Sequence, residues 1–408
     1  MKMSIGIDAI AFAVPRAYVE LTELAAARAV PPSKYTNGLG THQMAIADAD
    51  EDPVALATNA ARRLFVRSGR RPDEIGLCIA GTETAVDHSK PIAAYLHGLL
   101  GLPTACRVFE TKHACFGGTA GLMAAMDWIA SGSARGRSAL VLCTDIARYE
   151  LGSAGEPTQG AGAVAFIVSE NPRLIELELG RSGSYARDVH DFWRPLHRKD
   201  ALVDGHFSVQ CYLDALAGAY AEWNAITRED GGPAEPLVRT CYHVPYGKMA
   251  RKAHRHRKQI DGLTEAEADA TFATEVESSL NFSAQIGNVY TGSLYLALAS
   301  LLHAEAGQLE GQRIGLFSYG SGCAAEFFAG RVCEGAQDMV DQLDLAGPLA
   351  ARERLTIERY EELRRADAIA DRRPVPTPPP PPSAQSLLHA AAYIGVDAED
   401  RRVYTDQA

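Results

Sequence analysis

Apolar residues along this chain come in two alternating forms, short unbroken runs and longer helix-period stripes. Runs of about four to eight read as strands buried on both faces; stripes at i, i+3 and i+4 read as helices. A first strand is predicted over 4–14 and a helix over 19–28, followed by the turn-rich PPSKYTNGLG. A stronger helix covers 52–68, with Pro53 in its first turn, where a missing N–H costs nothing. Buried strands are predicted at 75–81 and 139–146, a short strand at 107–111, a further strand at 162–169, and a helix over 91–100. From Thr119 to Ile129 apolar and small residues predict a closely packed helix.

The second half repeats this order. GNVYTGSLYLALASLL, from Gly287 to Leu302, has the layout of the segment TKHACFGGTAGL, with Asn288 expected in the place of Cys115. Each is followed by a buried strand, ALVLCTDI or RIGLFSYGSG, and then by a Gly-rich strand opening. This is a duplicated α/β unit, not a short-period repeat. A pseudo-twofold pairing of the halves would bring Cys115 and Asn288 to one central site. Residues 1–170 and 171–373 are assigned to the two halves. Residues 180–239 read as a loop-like insertion, and KMARKAHRHRK, Lys248 to Lys258, as a solvated helix face. Residues 374–408 hold a proline tract, Pro374 to Pro382, expected to be polyproline II, then a last strand pair.

Composition narrows the function classes. With 408 residues, 47% of them hydrophobic, the chain can build two domain-sized cores. A net charge of −11 argues against nucleic acid as a partner. The eight cysteines form no CxxC pair, so they read as reduced thiols in a cytoplasmic protein. No apolar run approaches the roughly 20 residues that span a bilayer, and the N-terminal run is too short for a signal peptide.

Against this background a few residues carry chemistry. Cys115 sits at or just before a predicted helix N-terminus, where unpaired N–H groups and the helix dipole favour a thiolate. By itself it would be a core cysteine, as Cys78, Cys106, Cys143, Cys211, Cys241, Cys323 and Cys333 are read. Glu83 lies just beyond a buried strand end, where ligands collect in α/β folds. His243, in CYHVPYGKM, adds an imidazole, and Asn288 adds an amide. A Cys, a His and an Asn suit acyl-thioester chemistry. A carboxylate adds the means to remove a proton from the carbon beside a thioester carbonyl.

Eight ordered stretches carry a resemblance: TETAVDHSK, KHACFGGTAGL, TDIARY, GEPTQGAGAVA, DFWRP, YHVPYGKM, GNVYTGSLYLAL and FSYGSG. From about Ile5 to about Arg331 the chain resembles the hydroxymethylglutaryl-coenzyme A synthases of the bacterial mevalonate pathway. The resemblance implies a thiolase-like α/β fold, two duplicated halves in a layered αβαβα arrangement, as a homodimer. It implies an acylated nucleophile at Cys115, a general acid/base at Glu83, and a hold on the acetoacetyl thioester carbonyl at His243. Asn288 and Ser318 fall at acetoacetyl-binding positions and Tyr149 at a position lining the acyl site. Asp87, Asp145 and Asp191 fall at supporting acidic positions. Lys248, beside the His243 loop, is a candidate for a CoA phosphate. The implied substrates are acetyl-CoA and acetoacetyl-CoA, with no metal or redox cofactor.

Three alternatives compete. A polyketide β-branching synthase performs the same condensation on acyl carrier protein thioesters; GEPTQGAGAVA, DFWRP and YTGSLYL are closer to the mevalonate form. An initiating ketoacyl synthase shares Cys, His and Asn but lacks the Glu of TETAVDHSK. A non-catalytic homologue would be expected to lose the nucleophile, and Cys115 is present.

Overall fold

The computed structural model describes residues 3–232, 235–370, 373–375 and 389–407. Nine strands, among the described residues, join into one sheet. They are β1 (Ile5–Ala13), β2 (Ile75–Gly81), β3 (Arg107–Thr111), β4 (Ser138–Ala147), β5 (Gly160–Glu170), β6 (Ile175–Ala186), β7 (Arg239–Tyr242), β8 (Arg313–Gly320) and β9 (Ala324–Val332). Their order is β7-β8-β9-β6-β1-β5-β4-β2-β3. In each half the outer strands run parallel and the inner ones antiparallel. The half-sheets join only where Gly6 and Ile7 of β1 meet Glu176 and Ile175 of β6.

Helices pack on this sheet and on one another, among them α1 (Pro53–Ser68), α2 (Gly117–Ala130), α3 (Gly205–Glu229), α4 (Gly247–Ile260) and α5 (Ser293–Leu309). α1 begins where expected because Asp52 accepts the Ala55 N–H at 2.8 Å and Pro53 follows; it ends at Gly69, in the left-handed conformation. The period-two alternation of β4 sorts these layers. Thr144 donates to the Pro53 carbonyl of α1 at 2.7 Å, while Val141 and Cys143, on the other face, pack against glycines of α2. α3 covers the sheet of the second half. α2 and α5 meet in the middle, where the hydroxyls of Thr119 and Tyr295 are 2.8 Å apart. The result is the layered thiolase-like α/β arrangement.

The structure revises the expected elements in several places. Residues 17–20 are a strand, and the helix expected over 19–28 is confined to Leu21–Ala27. Val19 pairs with Met44 in a small side sheet, so tertiary pairing overrides the helical stripe. The insertion-like 180–239 region is not mainly loop: it carries the end of β6 and all of α3, whose Tyr212, Leu216, Ala219 and Trp223 are buried. The basic run on α4 is not simply solvated. His254 and Arg257 are buried, and Arg257 binds Tyr242, Asp261 and Glu275. The duplication is offset from the expected alignment. α2 starts two residues after Cys115, and α5 starts two residues after Thr291. A positive-φ residue precedes each, Ala114 at 40° and Tyr290 at 41°. Thr291 therefore occupies the place of Cys115, and Asn288 lies three residues earlier.

The last strand pair is present as Ala390–Val396 and Arg402–Gln407. It is tied to α1 by Arg62 to Asp406 at 2.7 Å, and both Tyr404 and Arg402 reach Asp52 at 2.8 Å. Of the proline tract, the Val375 N–H bonds the Val396 carbonyl at 2.7 Å; residues 376–382 lie outside the described residues.

The α2–α5 crossing depends on a missing side chain. A Cβ on Gly118 would stand 2.5 Å from the Cys143 Sγ and 2.7 Å from the Thr291 carbonyl oxygen. Gly118→Ala should gain about 1 kcal/mol in helix propensity and lose about 1–3 kcal/mol to overpacking. Because one neighbour is backbone, the loss should win, and thermal unfolding should show a lower midpoint than wild type.

Candidate active site

The parallel strands of the first half all deliver their C-terminal ends to one place. β2 ends at Gly81 and leads to Glu83; β3 ends at Thr111 and leads to Cys115; β4 carries Asp145 near its end and leads to Tyr149. Gly81 allows this convergence, since a Cβ there would lie 2.6 Å from the Gly117 carbonyl carbon. In the second half, parallel β7 and β8 end side by side, and the His243 N–H bonds the Phe317 carbonyl at 2.8 Å. His243 and Ser318 are thereby neighbours at that edge, both buried. Two residues further on, a Cβ at Gly320 would lie 2.5 Å from the Phe116 nitrogen, so β8 abuts the Cys115 loop.

Asp145 is fully buried and gathers both halves. Its Oδ1 accepts from the Glu83 N–H at 2.9 Å, the Thr84 hydroxyl at 2.8 Å and the Thr82 hydroxyl at 3.1 Å. Its Oδ2 accepts from the Thr291 N–H at 3.1 Å and hydroxyl at 2.5 Å. These donors hold the charge, although burial still pushes its pKa up. Its alternation on β4 places it on the same face as Val141 and Cys143, toward α2 and α5.

The Cys115 thiol donates to Glu83 Oε1 at 3.3 Å, and both side chains are partly accessible. Burial, then the nearby Asp145, pushes Glu83 up to about 8, against the opposing pull of Arg194. The expected easy thiolate is not found in this resting arrangement. Burial, then the carboxylates of Glu83, Asp145 and Asp191, raise the Cys115 pKa.

On the opposite side, burial draws His243 down to about 3, so it is a neutral imidazole with one N–H donor. The Tyr212 hydroxyl donates to the His243 carbonyl at 2.8 Å, and its ring packs against those of His243, Phe317 and Tyr319. The Asn288 side-chain oxygen accepts from the Tyr290 N–H at 2.9 Å and from Ser293 at 2.8 Å. What Asn288 can offer a ligand is its amide N–H₂.

The remaining predicted residues divide. The Tyr149 N–H is held by Gln159 at 2.8 Å, and its phenol pKa is raised by burial and then by Cys115 and Glu83. Asp191 is fully buried; it accepts from the Tyr319 hydroxyl at 2.7 Å and the Gly322 N–H at 3.0 Å. Asp87 is exposed and accepts the N–H groups of Ser89 and Lys90 in its own turn. Lys248 is exposed in the first turn of α4, with its N–H on the Leu39 carbonyl.

Several neighbours of the cluster were not picked out from sequence. Thr82, Thr84 and Thr291 bind Asp145; Phe192 sits edge-on to Tyr149 and Tyr290; Arg194 donates to the Glu83 carbonyl oxygen. The DFWRP stretch was the available signal for Phe192 and Arg194.

A thiol set against a raised carboxyl, on two fused α/β halves, marks a site of the thiolase-like fold. The family models for the N-terminal and C-terminal parts of hydroxymethylglutaryl-coenzyme A synthase match residues 1–172, and 175–270 with 255–407, respectively. The chain belongs to the hydroxymethylglutaryl-coenzyme A synthase family. It is 40% identical to the hydroxymethylglutaryl-CoA synthase of Enterococcus faecalis, over 88% of this chain and 91% of that protein. It is 34% identical to the polyketide biosynthesis 3-hydroxy-3-methylglutaryl-ACP synthase PksG of Bacillus subtilis, over 88% of each. Among solved structures, MvaS in complex with 3-hydroxy-3-methylglutaryl coenzyme A superposes with a TM-score of 0.91 at 48% identity, covering 100% of both chains. The curacin-pathway HMG synthase in complex with holo donor-ACP gives 0.89 at 31% identity, covering 99% of this chain and 100% of that one. Among the described residues, no helix is long and apolar enough to cross a membrane.

The Glu83 carboxyl makes stability depend on pH. In an unfolded chain it ionises near about 4.3; in the fold it does so at about 8. Between these values the folded state keeps a proton that the unfolded state has released, so this contribution falls as pH rises. Glu83→Gln removes it. Urea unfolding should show the variant gaining on wild type steadily from about pH 5 to about pH 8.

Proposed function

We propose that this chain condenses acetyl-CoA with acetoacetyl-CoA and hydrolyses the enzyme thioester, giving 3-hydroxy-3-methylglutaryl-CoA and CoA. The observation that carries the reading is the 3.3 Å contact between the Cys115 thiol and the Glu83 carboxyl, which burial pushes up to about 8. A base poised close to the working pH is what proton removal from a weak carbon acid requires.

In the first step the Cys115 sulfur attacks the acetyl carbonyl, and the bond to the CoA sulfur breaks; CoA leaves as the thiol, taking a proton. The carboxylate of Glu83 then removes a proton from the acetyl methyl group. The resulting carbanion equivalent attacks the ketone carbon of acetoacetyl-CoA, and the new alkoxide takes the proton back as a hydroxyl. Water cleaves the thioester to Cys115, leaving a carboxylate on the product and the thiol on the enzyme. His243, being neutral, serves by donating a hydrogen bond to the acetoacetyl thioester carbonyl. The Asn288 amide, from the approach to α5, and Ser318, at the end of β8, complete that hold, while Tyr149 lines the acyl side. Asp145 and Asp191 support this frame. Lys248 is assigned to a CoA phosphate. Asp87 keeps its assignment as a supporting acidic residue, through the turn that follows Glu83.

The scheme uses CoA thioesters as substrates and calls on no metal or redox cofactor. CoA is preferred over an acyl carrier protein because likeness to the CoA-complexed structure is greater than to the carrier-protein complex, 48% against 31% identity. We take the working enzyme as a cytoplasmic homodimer, with residues 1–170 and 171–373 as its halves and 374–408 as a terminal segment.

Glu83 should separate the half-reactions. Removing its carboxylate takes away a charge that keeps the proton on Cys115, so Glu83→Ala should still acetylate. It should then accumulate acetyl-enzyme in the presence of acetoacetyl-CoA, with condensation slowed about 10²–10⁴-fold. A quench series following acetyl-enzyme and product, with Cys115→Ser as the control that gains no acetyl group, checks this. A mutant that condenses at the wild-type rate, or a Cys115→Ser protein that turns over, would sink the reading.

His243→Ala should leave acetylation by acetyl-CoA in place and slow the step with acetoacetyl-CoA by on the order of a hundredfold, the usual loss for one such donor. Unchanged acetoacetyl-CoA kinetics in a folded variant would remove His243 from that role.

A further inference from the structure

Glu83 works in an electrostatically hostile place. Asp145 faces it from β4 and Cys115 from the approach to α2. Tyr149 faces it from the segment after β4, and Tyr290 from the approach to α5; Asp191 adds its charge at Cys115. Burial and, of these groups, Asp145 hold the proton on Glu83, whereas the hydrogen bond from Cys115 favours the carboxylate. The cation set against them is Arg194, which reaches the site from the second half.

Arg194 is delivered by a strap pinned at several points. Three residues before it, Asp191 is locked by Tyr319 and Gly322. Phe192 and Trp193 pair with Val203 and Leu202, and the Asp204 N–H bonds the Asp191 carbonyl at 3.0 Å. The Ala201 N–H reaches back to the Arg148 carbonyl of the first half at 3.3 Å. From this frame the half-buried Arg194 guanidinium donates to the Glu83 main-chain carbonyl oxygen. The Asp145 carboxylate holds the N–H of the same residue. The peptide groups on both sides of the Glu83 side chain are therefore clamped, one by an anion and one by a cation.

We propose that Arg194 is a positioning residue for Glu83, fixing its main chain and setting a positive charge beside the carboxylate so that it can take the methyl proton. The proposal rests on the reading of Glu83 as the base. A guanidinium suits the task because it stays charged at every working pH and offers several N–H donors in a rigid fork. Its charge opposes Asp145 and the burial that hold the proton on Glu83.

The test is single-turnover condensation: pre-formed acetyl-enzyme mixed with acetoacetyl-CoA across about pH 6 to 10, in full-length protein. For Arg194→Met and Arg194→Gln the acid limb of the rate should move up by about one pH unit, about a tenfold loss near pH 7. The rates should converge on wild type at the alkaline end. Arg194→Lys, which keeps the charge, should hold the limb near its wild-type position. A loss that is equal at every pH, or no loss, in either uncharged variant overturns the proposal. If Arg194→Met does not fold, Arg194→Gln against Arg194→Lys makes the same comparison, because Gln keeps a donor without charge. Glu83→Ala, run alongside, separates the two failures. A wild-type rate there removes Glu83 as the base and Arg194 with it. A slow Glu83→Ala beside an unmoved Arg194→Met limb removes Arg194 alone.

Discussion

One buried carboxylate sets the geometry on which the site depends. Asp145 has no solvent, and an ionised carboxylate there is tolerable only because hydrogen-bond donors surround it. Those donors come from the end of β2 and from the approach to α5, so satisfying one charge fixes the first half against the second. Glu83 is placed as a by-product, because its own N–H is among the donors. Glycines at 81 and 118 let the backbones come close enough for these bonds to form.

Around this anchor the two halves contribute opposite kinds of group. The first half holds acids: the thiol of Cys115, pushed up by burial and by Glu83, and the carboxyl of Glu83, pushed up by burial and by Asp145. The second half holds neutral donors, an imidazole drawn down to about 3 and an amide whose oxygen is engaged. Such a division suits a reaction in which one substrate is attached and deprotonated while the other needs only its carbonyl held. Burial acts on both sides with opposite consequence, since it disfavours the charged form of an acid and of a base alike.

Much of this was legible in the chain. A strand buried on both faces announces itself as an unbroken apolar run, and IGLCIAG matched the observed β2 end to end; the half-exposed edge strand RVFET also kept its expected bounds. Position at a helix start and a strand end only suggested Cys115 and Glu83; the ordered stretches KHACFGGTAGL, TETAVDHSK and YHVPYGKM, and the family they resemble, singled them out together with His243. What escaped was what depends on distant contacts. The helical stripe from Val19 yielded to pairing with Met44, and the basic stripe of α4 hid Arg257 among Tyr242, Asp261 and Glu275. The thiol was expected to be acidic because the helix start is local in sequence, whereas Glu83 and Asp191, which oppose it, arrive from elsewhere. The offset of the duplication, Thr291 rather than Asn288 in the place of Cys115, follows the positive-φ residues, which composition does not reveal.

The seam at Asp145 also bears on how the molecule is made. Thr291 lies 146 residues after the carboxylate it binds. At ordinary rates of synthesis of about 5–20 residues per second, that interval is on the order of ten seconds. Throughout it the nascent first half has a carboxylate at the centre of its inner face with only part of its partners. That surface stays wet, and α2 has nothing to cross, until the second half emerges. A chain truncated before α5 therefore carries Cys115 and Glu83 yet leaves Asp145 without its two bonds from Thr291, so the site closes only once both halves are assembled.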